Sequence, residues 1–339
     1  MGINVADILR NSNEPIGMKD SVSIGSRGKE AAYVFVSLDL CDFTAIKAKW
    51  AQWADVIWKI FDLIDDGFLQ MVFWKFNGDE FLFYREVSNL VDIIELIESA
   101  NTVVHYMELG LNAELRSENV HIKAGVWLAN TEECVLSQPQ PSISDVNYKF
   151  SNRYTGYKKF DFIGANMDEG FRMLSCATQG RFVVDPKIAI MFHALYTLME
   201  HDTTNALTNE YIDEVQAKAP DFYYACNKFS SLDDDALNTR IRHFAENLVF
   251  VGQVPLKGIW NGQHYPVIWF SSVWAKEYTP LETDKFTVCI SSDNNPHPVC
   301  NLDKLYRLFR KARKDRNLYK LMKLMKVCPP AELIMNRRV

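Results

Sequence analysis

Two acidic residues at the ends of predicted strands are the first candidates for chemistry. Asp39 lies near the end of the apolar run "YVFVSLDL" (33–40), and Asp79 lies in "VFWKFNGDEFLFY" (72–84), whose two aromatic-rich halves predict a β-hairpin. Two carboxylates a few ångströms apart repel each other unless a divalent cation lies between them. If the first strand and the hairpin are neighbours, the pair predicts a site for Mg²⁺ or Mn²⁺ together with substrate phosphates.

The hairpin also carries a cation, and its geometry predicts how that cation is directed. With Asn77-Gly78 as a two-residue turn, Phe76 faces the same side as Asp79, whereas Lys75 and Glu80 face the other. Lys75 and Asp79 of one chain are therefore not expected to serve the same site. A further cation, Arg172, lies on a predicted helix after Asp161 and Asp168 in "FDFIGANMDEGFRM" (160–173).

The order of the predicted elements indicates the fold that positions these residues. A strand at 33–40 and a helix at 44–64 precede the hairpin, and a helix at about 86–110 and the strand "VHIKAGVWLA" (120–129) follow it. The order β-α-β-β-α-β is that of the ferredoxin-like split unit, an antiparallel sheet with helices on one face. The sequence thus predicts the α+β class.

Composition shifts divide the chain into three parts. Residues 1–30 predict a leader of low order, 31–270 the folded domain with a helical insertion at 188–248, and 271–339 a C-terminal extension. The hairpin "NLVFVGQVPLKGIWNGQHYPVIWF" (247–270) is expected to close the core. In the extension we predict one amphipathic basic helix at 303–327, which we expect to serve assembly or docking and not catalysis.

The charge and cysteine patterns exclude several classes of function. Residues 304–326 hold ten Lys/Arg and the single acid Asp315, about +9, which leaves about −15 for the rest of a chain whose formal charge is −6. An acidic body disfavours nucleic acid as a partner. Seven cysteines without C-x-x-C pairs and no apolar run of membrane-spanning length predict a cytoplasmic protein with reduced thiols. Neither a P-loop, nor G-x-S-x-G, nor H-E-x-x-H occurs.

Four segments together resemble one enzyme family. "FVSLDLCDFTAI" resembles the first metal motif of class III nucleotidyl cyclases, and "WKFNGDEF" resembles their K-x-x-G-D hairpin. "FDFIGANMDEGFRM" resembles their D-x-x-G-x-x-x-N-x-x-x-R-M segment, and "VPLKGIW" resembles their late L-K-G strand. The motifs follow the family order over roughly residues 31–270. More narrowly, the layout resembles the bacterial pyrimidine cyclases of the Pycsar anti-phage systems.

The resemblance implies a role for each candidate residue. Asp39 and Asp79, with Leu40 beside them, would hold two Mg²⁺ or Mn²⁺ ions per site. Lys75 and Asp161 would read the base, and Arg172 would stabilise the charge that builds on the phosphate. The remaining assignments are Lys257 to the triphosphate, Asp168 to the place where the family has a ribose-orienting Asn, and Phe43 and Thr44 to a phosphate through amides at a helix start.

The resemblance also implies an assembly and a product. In homodimers of this family each chain gives metal ligands to one site and base-reading residues to the other, so two identical chains would share two active sites. The substrate would be a nucleoside triphosphate, with UTP ahead of CTP, and the 3′,5′-cyclic product would be a second messenger in phage defence. A downstream effector would sense that product without direct contact.

The residues alone leave alternatives open. A lysine donor with an aspartate acceptor suits adenine, cytosine and uracil alike, so an adenylate cyclase is possible. A set of aromatic residues favours a one-ring base if it lines the pocket, and is ordinary strand core if it does not: Phe73, Trp74, Phe76, Phe81, Phe160 and Phe162. "NGDEF" also resembles the diguanylate cyclase signature. A degenerate cyclase domain that binds a ligand without turnover is the non-enzymatic alternative.

Overall fold

The computed structural model describes most of the predicted core. The described residues are 31–41, 71–77, 79–115, 121–131, 133–135, 160–162, 164–178, 182–192, 235–270, 297–298 and 302–325. The predicted leader 1–30, the predicted helix 44–64, and Phe43 and Thr44 lie outside them. Within the predicted insertion 188–248, residues up to 192 and from 235 are described.

A mixed sheet of eight strands forms the centre of the described fold. The strands of the described residues are β1 Ala31–Leu40, β2 Val72–Asn77, β3 Glu80–Val87, β4 Ile122–Thr131, β5 Glu133–Val135, β6 Phe160–Phe162, β7 Phe182–Val184, β8 Leu248–Val254, β9 Tyr265–Phe270 and β10 His297–Pro298. The order in the large sheet is β10-β8-β9-β7-β4-β1-β3-β2, and β5 and β6 form a separate two-stranded ladder. Strand β1 is a nearly continuous apolar run and is almost wholly buried, as expected for a central strand.

The α+β class and the antiparallel strands of the predicted split unit are confirmed. Strands β4, β1, β3 and β2 are neighbours in that order, and each adjacent pair is antiparallel. Helix α1, Leu90–Leu115, connects β3 to β4 and packs against both and against β1. It begins later than predicted because Asn89 caps it: the Asn89 side chain accepts a hydrogen bond of 2.9 Å from the Asp92 N–H.

The hairpin tip differs from the prediction by one residue. Strand β2 includes Asn77, which pairs with Glu80, so Asn77 belongs to the ladder and not to the turn. A register shift between Phe73 and Lys75 adds a β-bulge. Asp79 thereby becomes a turn residue and is not part of a strand with a fixed facing.

The closing hairpin is confirmed. Strands β8 and β9 pair antiparallel, and β9 joins β7, which runs parallel to β4. Residues 186–192 are helical, as is α3, Asp235–Glu246. Helix α2, Ala165–Met173, carries the predicted Asp168 and Arg172 and packs on β4.

The prediction of one basic helix at 303–327 is wrong. Two helices, α4 at Leu302–Lys311 and α5 at Asp315–Leu324, are joined by a tight turn. Arg313 takes a left-handed φ of 56° there, and the Lys314 N–H donates to the Phe309 carbonyl (2.9 Å) while the Arg313 N–H donates to the Arg310 carbonyl (3.0 Å). This bond pair is the Schellman motif that ends helices, usually with glycine in the left-handed position.

The apolar side of this helical hairpin belongs to the domain core. Leu305, Phe309, Ala312 and Met322, four apolar residues of the two helices, are each no more than 2% exposed. These four side chains are therefore covered by this chain itself and do not form an open docking surface.

Candidate active site

The two predicted metal-binding carboxylates lie at neighbouring strand ends. Asp39 near the end of β1 is directly opposite Glu80 of β3 in the ladder, so Asp79 is the residue just before that pair. The Leu40 N–H donates to the Asp79 carbonyl at 3.3 Å. On the other side the Cys41 N–H donates to the His121 carbonyl at 2.8 Å. These bonds fix the end of β1 against the hairpin tip and the start of β4.

The electrostatics of this corner favour the binding of a divalent cation. Burial, followed by the nearby carboxylate of Asp79, raises the pKa of Asp39 from 3.8 to about 6, and the opposing influence of Lys123 is smaller. Burial and a like charge both disfavour the ionised form, and a divalent cation would remove the repulsion. The side chain of Leu40 is buried and apolar, so only its backbone carbonyl could serve as a ligand.

Glu80 belongs to the scaffold of the corner. Its carboxylate accepts a hydrogen bond of 2.7 Å from the Ser37 hydroxyl and one of 3.3 Å from the Asn77 amide. In the described part of the chain, no cluster of three or more His, Cys, Asp or Glu side chains forms a possible metal site. Asp39 and Asp79 supply two carboxylates at this corner, and an ion held by few carboxylates can also bind substrate oxygens.

Lys75 lies against aromatic rings. Its Nζ lies 4.0 Å from the centroid of the Trp74 ring and 5.9 Å from that of Phe171, the residue before Arg172. The first distance is that of a cation–π contact. Trp74 in turn packs edge-on against Phe162 at 5.3 Å between centroids.

The backbone of Asp161 lies in a strand close to Trp74 and Lys75. It lies on β6, opposite Cys134 of β5. Its neighbour Phe162 is the ring that packs on Trp74, next to Lys75. The segments that carry Lys75, Asp161 and Arg172 are therefore adjacent.

Helix α2 presents Asp168 and Arg172 on one exposed face. They are four residues apart, the spacing of neighbours on a helix surface. The opposite side of the helix approaches β4 so closely that a Cβ on Gly170 would lie 2.4 Å from the Trp127 ring. The Arg172 Nη2 would be 3.9 Å from a Cβ on Gly258, which places the guanidinium beside the Lys257-Gly258 turn.

The structure thus brings the candidates together as two groups. The carboxylate group consists of Asp39 and Asp79, and the cationic group consists of Lys75, Arg172 and the turn at Lys257. By register Asp39 and Lys75 share one face of the sheet, but β3 separates their strands, which corresponds to about 10 Å across the sheet. Register also puts Lys75 and Glu80 on one face of the sheet, as predicted. Asp79 is a turn residue, so its separation from Lys75 stays a prediction.

A buried ion cluster beneath α2 was not predicted from the sequence. The Lys187 Nζ lies 2.7 Å from the Asp185 Oδ2 and 3.4 Å from the Glu169 Oε1. The Trp260 Nε1 donates to the Glu169 Oε1 at 2.9 Å, and the Lys314 Nζ lies 2.8 Å from the Glu169 Oε2. The available signal was Asp185 and Lys187 inside the apolar run "FVVDPKIAIMF" (182–192), because charges in such a run are expected to pair with each other.

The predicted pocket aromatics that the structure describes are core residues. Phe73, Phe81, Trp74 and Phe162 are all at least 95% buried. The side chains of Phe76 and Phe160 lie outside the description. The crowding of aromatic residues therefore gives no support for a one-ring base.

Solved structures of nucleotidyl cyclases resemble this chain. The adenylyl cyclase CyaB from P. aeruginosa is 10% identical over 72% of this chain and 95% of its own, with a TM-score of 0.45. The guanylyl cyclase Cya2 is 12% identical over 72% and 93%, with a TM-score of 0.42. An adenylate cyclase from Trypanosoma brucei in its monomeric state is 11% identical over 74% and 93%, with a TM-score of 0.41.

These similarities are low in both identity and TM-score. No family model and no curated protein matches the chain. Among the described helices, none has the length and apolar character needed to cross a membrane.

Proposed function

We propose that the protein is a metal-dependent nucleotidyl cyclase that converts a pyrimidine nucleoside triphosphate, UTP ahead of CTP, into its 3′,5′-cyclic monophosphate and pyrophosphate. The observation that carries the metal-dependent reaction is the carboxylate pair, in which burial and then the Asp79 charge raise the pKa of Asp39 to about 6. The preference for a pyrimidine rests on the resemblance to the Pycsar cyclases. The cationic group on the same domain also supports the metal-dependent reaction. The four sequence motifs that resemble those of class III cyclases contain the residues of both groups and so support the proposal.

The reaction asks for both groups. The 3′-oxygen forms a bond to the α-phosphorus, the bond from that phosphorus to the bridging oxygen of the β-phosphate breaks, and pyrophosphate leaves with the electron pair. The proton of the 3′-hydroxyl passes to solvent. Asp39 and Asp79 would hold the divalent ions, which supply activation of the hydroxyl and neutralisation of the phosphates.

The chain's cations would act on the nucleotide itself. Arg172 is exposed and always charged, so it can donate to the phosphoryl oxygens as charge builds on them. Lys257, exposed in the turn beside Arg172, would bind the triphosphate. Lys75 on β2 and Asp161 on β6 would bind the base, and Asp168, one turn before Arg172, would contact the ribose.

We propose a homodimer with two shared sites, which is the assembly that the resemblance to class III cyclases implies. A nucleotide whose phosphates lie at Asp39 and Asp79 would receive Lys75 and Arg172 from the second copy. Each pair of chains would then form two equivalent sites. The same proposal includes a cytoplasmic location and a role for the cyclic product as a second messenger in phage defence, which rest on the resemblance to Pycsar cyclases.

Substrate choice is tested by supplying UTP, CTP, ATP and GTP separately with Mn²⁺ and identifying each product by mass spectrometry. The proposal expects cyclic UMP at the highest kcat/KM, with cyclic CMP second. A preference for ATP of tenfold or more would make the protein an adenylate cyclase, and a linear dinucleotide or cyclic di-GMP would favour the diguanylate alternative. Specific binding without turnover of any of the four would favour the non-enzymatic module.

A further inference from the structure

Helix α2 has a functional face and a fixed face. Asp168 and Arg172 are exposed, whereas Asn166, Glu169 and Gly170 of the same helix are buried. The position of the exposed pair is therefore set by whatever holds the buried side. Two of those three residues are polar, so their partners must satisfy them.

Glu169 is held by donors from three distant parts of the chain. Its side chain is 2% exposed. The carboxylate forms ion pairs with Lys187 and Lys314 and accepts a hydrogen bond from Trp260. Burial alone would raise the pKa of Glu169, but the positive charges of Lys187 and Lys314 bring it below its usual value, so the group is ionised. A buried carboxylate depends on each of its partners, because the loss of one leaves charge without compensation.

The third donor comes from the C-terminal extension. Lys314 follows Arg313 in the turn between α4 and α5, and the left-handed backbone of Arg313 turns the chain there. A non-glycine residue in this conformation costs free energy. This cost is offset where the turn places Lys314 within 2.8 Å of Glu169.

Further contacts tie the same helical hairpin to the same region. The Asn317 side-chain amide donates to the Asn166 carbonyl oxygen, and Asn166 in turn donates to Asn130 of β4 at 2.7 Å. The Asn261 side chain donates to the Ala312 carbonyl at 2.7 Å. The Phe309 ring packs edge-on against Trp260, a Glu169 donor, at 4.7 Å between centroids. The extension therefore contacts α2 directly. It also contacts the segment that contains Trp260 and Asn261, and Trp260 contacts α2 as well.

From these contacts we infer that the α4–α5 hairpin is a clamp that positions helix α2, with Lys314 as the positioning residue for Arg172. This role rests on the proposed function of Arg172. Without the Lys314 ammonium, α2 would tilt or shift to re-solvate the Glu169 carboxylate. Arg172, three residues along the helix, would move with it. Misplacement of a catalytic group by about 1 Å can cost about a hundredfold in rate.

The test compares Lys314→Met with Lys311→Met in the full-length chain. Lys311 is an exposed lysine of the same helical hairpin, so its replacement matches the loss of charge and controls for it. Hydrogen exchange is measured on the α2 amides, and kcat and KM are measured with the best nucleotide. We expect faster exchange in 165–173 and a kcat lowered tenfold or more with KM within about threefold, for Lys314→Met only. Lys314→Arg should recover both properties.

Each contrary result has a separate meaning. Unchanged exchange at α2 in Lys314→Met would overturn the clamp, whether or not the protein turns over nucleotides. Faster exchange with an unchanged kcat would overturn the positioning role. A wild-type protein without turnover would defeat the proposed function, and the exchange measurement would still decide the clamp. If Lys314→Met does not fold, Lys314→Gln is measured in the same way.

Discussion

Asp39 and Glu80 face each other across the β1–β3 ladder, and the two carboxylates are used differently. Glu80 is engaged by Ser37 and Asn77. Asp39 is partly buried and feels the charge of Asp79, the residue before Glu80, so the pKa of Asp39 rises to about 6. Of the carboxylates at the hairpin, the pair Asp39 and Asp79 is therefore the one that a cation would stabilise.

Asp79→Asn is expected to abolish metal binding at this corner. Mn²⁺ should raise the melting temperature of the wild-type protein, since an ion that binds only the folded state stabilises it. Asp79→Asn should lose that rise and lose turnover by at least about a hundredfold. Glu80→Gln removes one negative charge from the adjacent residue, and this variant should keep the rise in melting temperature with Mn²⁺. An equal response in Asp79→Asn and the wild type would remove Asp79 from the metal site.

Asp39→Asn is expected to stabilise the metal-free protein at neutral pH. The pKa of Asp39 is raised from 3.8 to about 6 by folding, so the ionised group disfavours the folded state above that pH. With EDTA present, the melting temperature of Asp39→Asn should exceed that of the wild type at pH 8. The difference should shrink as pH falls from about 6 to 4, where folded wild-type Asp39 takes up its proton. The exposed Asp168→Asn serves as the charge-matched control. A difference that is constant from pH 4 to 8 would argue against the raised pKa.

Shared sites predict complementation between two inactive variants. Asp39→Ala removes the carboxylate group of one chain and Lys75→Ala the cationic group of the other, so a mixed dimer keeps one intact site and one doubly altered site. Purified heterodimers carrying two different tags should regain up to half of the wild-type kcat. Each homodimer should stay inactive. Heterodimers as inactive as the parents would mean that each chain forms its site alone.

Gly170→Ala is expected to displace α2 from the sheet. The new methyl group would lie 2.4 Å from the Trp127 Cγ, Cδ1 and Nε1, and overpacking of this kind costs about 1–3 kcal/mol. Urea unfolding should show this loss in Gly170→Ala, together with a lower kcat because Arg172 is on the displaced helix. Trp127→Leu should remove much of the penalty when combined with Gly170→Ala, beyond its own separate effect. A Gly170→Ala protein as stable as the wild type would mean that α2 can move without cost.

The sequence predicted what periodicity and turn residues encode. The apolar run ending at Asp39, the aromatic hairpin around Asp79 and the closing hairpin 247–270 each have local signals, and all three are present. The carboxylate corner was predictable because strand order alone makes Asp39 and Asp79 neighbours.

Features that depend on contacts distant in sequence were missed. The interruption of the helix at Arg313 could not be predicted from a glycine, because arginine occupies the left-handed position there. Glu169 meets partners 18 and 145 residues away, and no periodic pattern encodes such pairs. At the hairpin tip the prediction missed that Asn77 pairs with Glu80 in the ladder, where their side chains also form a hydrogen bond.

The central claim is that this chain cyclises a nucleoside triphosphate at the Asp39–Asp79 corner. The most direct measurement follows wild type and Asp79→Asn with UTP labelled at the α-phosphorus and Mn²⁺, quantifying cyclic UMP and pyrophosphate together. The account predicts equal amounts of the two products from the wild-type protein and neither from Asp79→Asn. It would be contradicted by release of inorganic phosphate without cyclic product, or by equal cyclic UMP formation in both proteins.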